Sequence, residues 1–140
     1  MPDASERLPI GLAGTATITV TPAVTARHMG SGAVQVFATP ELVRLMEQAA
    51  VHALADRLGP GEQSVGVLVD VQHLAASPVG ATVTARAELV GIDRRRLTFK
   101  VSASDGVETV GEGTHVRALI DLARFEERIA KKRVALGITA

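Results

Sequence analysis

The sequence predicts an α+β fold: one antiparallel sheet wrapped around a central helix, with a further helix on the surface at the C-terminal end. Three observations predict it. Ala38–Leu58 is the one long helical stretch ahead of the last twenty residues, and it is apolar over most of its circumference. Four segments with strand-like alternation follow it in succession, separated by short turns. One more such segment precedes it. Hairpin-linked strands carry an apolar face that needs covering, and the greasy helix is long enough to cover it.

The elements follow in order. Residues 1–14 form a loose lead-in with turn residues, the start of a single domain spanning 1–140. Thr15–Thr21 alternates as a half-buried strand, with Ala16, Ile18 and Val20 inward. Val24–Phe37 has no single reading: Gly30-Ser31-Gly32 breaks it, and Ala33–Phe37 fits a short strand. In the helix, Thr39 suits the N-cap and Pro40 the first helical position. Gly59-Pro60-Gly61 ends it. Leu42, Val43, Leu45, Met46, Ala49, Ala50, Ala53 and Leu54 form a continuous apolar arc, which Val51 and Leu58 widen.

The strands after it are Ser64–Ala76, Thr82–Val90, Arg96–Ala103 and Val107–Ile120. Gly91-Ile92-Asp93 and Asp105-Gly106 make turns, the second a good hairpin signal. Asp121–Ala135 closes the chain as a charged surface helix. Strand, helix, four strands, helix is the order of the hot-dog architecture. A cone-shaped α+β fold would have more helix before the sheet, and a ferredoxin-like sandwich needs a second crossover helix between strands. A single curled sheet leaves an edge bare, so a homodimer, or a dimer of dimers, is expected.

Composition narrows the function. The chain has 140 residues, 46% of them hydrophobic, which suits one well-buried core. Fifteen basic and fifteen acidic residues give zero net charge, no Trp or Tyr is present and Phe occurs three times. Neither the charge nor the stacking surface for nucleic acid is there. The absence of Cys excludes disulfides and thiolate metal sites. No apolar run reaches membrane-spanning length, and the polar N-terminus lacks a signal-peptide core. The expectation is a soluble cytoplasmic protein that engages neither membrane nor nucleic acid.

Two residues sit against their surroundings. On the helical wheel Glu47 falls between Leu54 and Leu58, away from Glu41, Arg44, Gln48 and His52. A carboxylate there must be paired or its pKa raised. It is either a functional acid or half of a structural ion pair, with Arg117 as a partner. His73 shares a strand face with Val65, Val67, Val69 and Val71. It is either a core histidine bonded to a carbonyl, or a base or orienting group. The hydroxyl of Thr39 reads first as a helix cap. His115, His28 and His52 show no metal-site spacing. Gly111-Glu112-Gly113 is not a phosphate loop, because a strand continues after it, and its glycines admit a bulge or a close neighbour. Arg94-Arg95-Arg96 is a solvated turn or a phosphate contact.

Four stretches in order carry a resemblance. They are Phe37-Ala-Thr-Pro-Glu-Leu-Val-Arg-Leu-Met-Glu47, Ser64-Val-Gly-Val, Val71-Gln-His-Leu-Ala-Ala-Ser-Pro-Val-Gly80 and Gly111-Glu-Gly-Thr-His-Val-Arg117. Between about Thr15 and Phe125 the chain resembles the fluoroacetyl-CoA thioesterase-like branch of the hot-dog superfamily. The resemblance implies hydrolysis of a small or medium acyl-CoA thioester at a dimer interface, with no metal or redox cofactor and CoA entering as part of the substrate. It implies catalytic roles for Thr39, Glu47 and His73, and substrate contacts from Gly66, Arg117 and Phe37. One stretch departs from the family pattern. Arg27–Ala38 is shorter than the family's lid, and Phe37 is its sole aromatic residue. The alternatives are a non-catalytic module binding acyl-CoA or another small ligand, and an enoyl-CoA hydratase. The hydratase would need a His–Asp pair on one short segment after the start of the central helix, and none is present.

Overall fold

The structure, a computed structural model, describes residues 4–138. The order is α1 (Ala4–Arg7), β1 (Ala13–Thr19), a 3-10 turn (Pro22–Val24), α2 (Ala26–Met29), α3 (Thr39–Leu54), β2 (Glu62–His73), β3 (Thr82–Asp93), β4 (Arg96–Ser104), β5 (Thr109–Asp121) and α4 (Leu122–Ala135). The five strands form one antiparallel sheet in the order β1-β3-β4-β5-β2, curled around α3. This is the expected α+β hot-dog arrangement.

Alternation in β3 and β4 supplies most of the sheet's share of the core. Val83, Ala85, Ala87 and Leu89 point inward from β3, and Leu97, Phe99, Val101 and Ala103 from β4, all buried. They meet Leu42, Leu45, Met46, Ala49, Ala50, Ala53 and Leu54 of α3. Each fully buried Leu or Phe here contributes about 2 kcal/mol. Small residues let the helix lie close to the sheet. A Cβ on Gly14 of β1 would fall 2.8 Å from the Ala53 Cα.

Several expectations need correcting. The lead-in is not loose over its described part: Ala4 and Leu8 are buried, and Arg7 pairs with Glu62 at 2.8 Å. β1 begins at Ala13, two residues early, because the Leu12 carbonyl and Gly11 N–H already bond to Leu89. Ala33–Phe37 is not a strand, and it contributes isolated bridges, Thr25 to Phe37 and Val36 to Pro78. The helix ends at Leu54 and not Leu58, and its apolar surface does not run all round, since Val51 is exposed. Glu41, expected on the wet face, is buried beside Arg44 at 3.7 Å. Thr39 is not the N-cap. Ala38 holds that position with extended backbone, and Thr39 is the first helical residue.

β2 departs from strict alternation. Its pairing with β5 slips between Gly66 and Leu68. Such a bulge inserts one extra residue and resets which side chains face inward. Upstream of it Gly66 pairs with Arg117; downstream Val69 pairs with His115 and His73 with Gly111. Gly66 therefore joins Val69, Val71 and His73 on the inner face, and Val65 leaves it.

Candidate active site

Two clusters of polar side chains lie on the inner face, both between α3 and the edge strand β2. The first joins Thr39 and His73. Because Ala38 takes the cap position, the Thr39 hydroxyl is free of the helix end, and its Oγ lies 2.7 Å from His73 Nδ1. His73 is the last residue of β2. Its Nε2 is enclosed and has no hydrogen-bond partner among the described residues. Burial pushes its pKa below the usual histidine value, and the Ala75 backbone partly opposes this. The ring is neutral near pH 7, and a neutral ring can accept a proton from the hydroxyl. The pair opens into a shallow cavity of about 300 Å³ walled by Ala26, Ser31, Val36 and Leu74. Phe37 backs this cavity but has no exposed surface of its own.

The second cluster holds Glu47. Its Oε2 is 3.6 Å from an Arg117 terminal nitrogen and 3.9 Å from His115 Nε2. These distances orient the carboxylate without a direct hydrogen bond. Its side chain is 40% exposed, so it is not a sealed internal ion pair. Arg117, itself buried, is fixed from three sides. Its Nε donates to Ser64 Oγ at 2.9 Å, one terminal nitrogen donates to the Ser64 carbonyl at 3.1 Å, and the other to His115 Nε2 at 3.1 Å. Burial lowers the Arg117 pKa while Glu47 raises it, and the guanidinium stays charged.

An arginine can only donate, so His115 Nε2 must accept, and Nδ1 carries the proton it gives to the Leu68 carbonyl at 2.8 Å. Burial holds the His115 pKa down, the Leu68 carbonyl opposes this, and the Arg117 charge adds to it. A neutral imidazole thus props the guanidinium. Gly66 completes the cluster. A Cβ there would sit 2.7 Å from Glu47 Oε2 and 3.3 Å from His115 Cε1.

Within one chain the clusters do not meet. Thr39 and Glu47 are two turns apart on α3, about 12 Å along its axis. Thr39 joins His73, and Glu47 joins Gly66 and Arg117. Sequence reasoning missed His115 and Ser64 as members of the site. The signal for His115 was its position two residues from Arg117 on one strand, which puts both on one face. Ser64 could have been found only through the strand register. Among the described residues no group of three His, Asp or Glu could hold a metal, and no helix is long and apolar enough to cross a membrane.

A sheet curled on a central helix, with polar clusters between that helix and an edge strand, defines a protein of the hot-dog class. A family model described as fluoroacetyl-CoA-specific thioesterase matches residues 20–123. The fluoroacetyl-CoA thioesterase of Streptantibioticus cattleyicolor is 50% identical over 101 residues, 72% of this chain and 73% of that protein. A solved variant of the fluoroacetyl-CoA-specific thioesterase, in complex with fluoroacetate and CoA, superposes with a TM-score of 0.78 at 45% identity, covering 84% of this chain and 99% of the other. A thioesterase superfamily member from Thermus thermophilus, described as hypothetical, gives 0.87 at 25% identity over 94% of this chain and 98% of its own. This chain belongs to the fluoroacetyl-CoA-specific thioesterase family.

Proposed function

We propose that this protein hydrolyses a small or medium acyl-CoA thioester, in a site that two copies of the chain complete together. The observation that carries the reading is the 2.7 Å contact between the Thr39 hydroxyl and a neutral imidazole at the mouth of a cavity. A hydroxyl so placed is an activated nucleophile in waiting. Thr39 Oγ attacks the thioester carbonyl as its proton passes to His73. The C–S bond then breaks, and the CoA thiolate leaves with that proton. Water then attacks the acyl-Thr39 ester as the Glu47 carboxylate takes its proton; the bond from the acyl carbon to Thr39 Oγ breaks, and the threonine oxygen takes that proton back from Glu47. At the start of α3 Pro40 has no N–H and those of Glu41 and Leu42 donate to the Ala38 carbonyl at 3.0 Å, so the Thr39 N–H is the backbone donor that suits a developing oxyanion.

This sequence of steps needs a carboxylate beside Thr39, and Glu47 of the same chain is two turns away. A second copy supplies it. β2 is an edge strand with Val67, Leu68 and Val69 exposed. Pairing β2 with its twin antiparallel, about a two-fold near Val69 and Asp70, sets the His73 end of one copy beside the Gly66 end of the other. The partner's Glu47 then faces Thr39 and His73. No metal or redox group enters the scheme.

A panel of acyl-CoAs tests the reading, with free CoA thiol and enoyl absorbance followed together. Thiol release is the expected result. A change in enoyl absorbance without thiol would make the protein a hydratase, and binding without either signal would make it a carrier module.

A further inference from the structure

A concentration of positive charge lies outside both clusters. A hollow of about 480 Å³ at the end of the sheet is lined by Arg7, Arg94, Arg95 and Arg124, against Glu62 and Asp121. Both acids are already engaged. Arg7 holds the two Glu62 oxygens at 2.8 and 2.9 Å, and the Gly59 N–H adds a third bond at 3.1 Å. Asp121 caps α4 by accepting from the Arg124 N–H at 3.1 Å. The side chains of Arg94 and Arg124 have no ion pair among the described residues. The excess charge is local, since the chain as a whole is neutral.

Two further features bear on what the hollow accepts. Arg94 has φ +58°, the left-handed conformation of a tight turn, which holds it at the tip between β3 and β4 where Asp93 pairs with Arg96. The hollow also lies on the same strands as the Glu47 cluster. Glu62 and Asp121 pair across β2 and β5 four residues beyond Gly66 and Arg117, about 13 Å away at strand spacing. The pantetheine arm of CoA, as long as a four- or five-residue extended peptide, spans roughly 15 Å.

We propose that this hollow seats the phosphate groups of the CoA nucleotide, with Arg94 and Arg124 as the main contacts. The proposal rests on the acyl-CoA reading above. Forked guanidiniums match phosphate oxygens in pairs, and the engaged carboxylates keep the arginines from turning to internal partners.

The test uses 3′-phosphoadenosine 5′-diphosphate, the nucleotide part of CoA, in calorimetric titrations that need no turnover. Wild type should bind it, and Arg94→Gln with Arg124→Gln should weaken binding roughly tenfold or more. Lys100→Gln, which removes one positive charge from an exposed part of β4, should leave it unchanged. With an acyl-CoA that is turned over, the double variant should raise KM and hold kcat, and the same acyl group on pantetheine should show no difference. Equal binding by wild type and the double variant, or no binding by wild type, would overturn the assignment. Nucleotide binding lost in the double variant without any thioester cleavage would keep the site and remove the hydrolase reading.

Discussion

Thr39 Oγ reaches His73 Nδ1, so the two groups should fail together when the hydroxyl is removed. Thr39→Val keeps the shape and loses the oxygen. Turnover should fall on the order of 10²-fold or more, while Thr39→Ser keeps most of it. Thermal stability should barely move, because Thr39 does not cap α3 and is exposed. Full turnover by Thr39→Val would take the hydroxyl out of the chemistry. A second test concerns protons. His73 must be neutral to accept one, and burial lowers its pKa, so the acidic limb of the kcat/KM profile should lie below pH 6.5. His115 carries a stability effect of defined sign. Its pKa is about 6.5 in the unfolded chain and lower in the folded one. As pH falls through 6.5 the unfolded chain takes up a proton that the folded chain refuses, so stability declines until the folded pKa is passed. Urea midpoints at pH 7.5 and 5.5 should differ more for wild type than for His115→Gln. At this scale the sequence made Glu47 and His73 visible, because each stands on an otherwise apolar surface. Thr39 read as a cap, since hydroxyls before a proline usually are caps, and its true partner lies thirty-four residues away.

The elements explain why some of the site was hidden. Periodicity gave β3, β4 and α4 to within a few residues, and their alternation matches the burial. It failed on β2, where the slip after Gly66 turns the strand over. Period two put Gly66 on the face opposite His73; the bulge puts both on one face. The one local signal in Ser64-Val-Gly-Val is Gly66 itself, since a glycine inside a strand marks a bulge or a close neighbour, but it does not say which of the two or where the register slips. The glycines of this region divide by what a methyl group would strike. At Gly66 it strikes the mobile end of Glu47, so Gly66→Ala should fold yet displace the carboxylate and lower turnover. At Gly113 it strikes the Asp70 carbonyl and lies 2.6 Å from the Val71 Cα, which are backbone atoms and cannot step aside. Gly113→Ala should therefore cost about 2 kcal/mol or more of stability, seen as a drop of several degrees in Tm. If Gly66→Ala were the less stable of the two and fully active, the carboxylate would not matter where it stands.

Across the whole molecule, the two clusters and the bare edge of β2 bear on one question: where the acid for a Thr39–His73 site comes from. A single chain holds each cluster intact but keeps them two helical turns apart. In the proposed dimer each site takes Thr39 and His73 from one copy and Glu47 from the other, which makes an arithmetic prediction. Thr39→Val and Glu47→Gln homodimers should each be nearly inactive. Mixed in equal amounts and allowed to exchange subunits, half the dimers become hybrids. In each hybrid one site carries both lesions and the other carries none, so about a quarter of wild-type turnover should return. If each site were built within one chain, every site in the mixture would carry one lesion and nothing would return. Subunit exchange can be checked independently with differently tagged copies. Recovery near a quarter, rising with exchange time, would place the carboxylate in the partner; no recovery despite complete exchange would place it in the same chain and require α3 to bend.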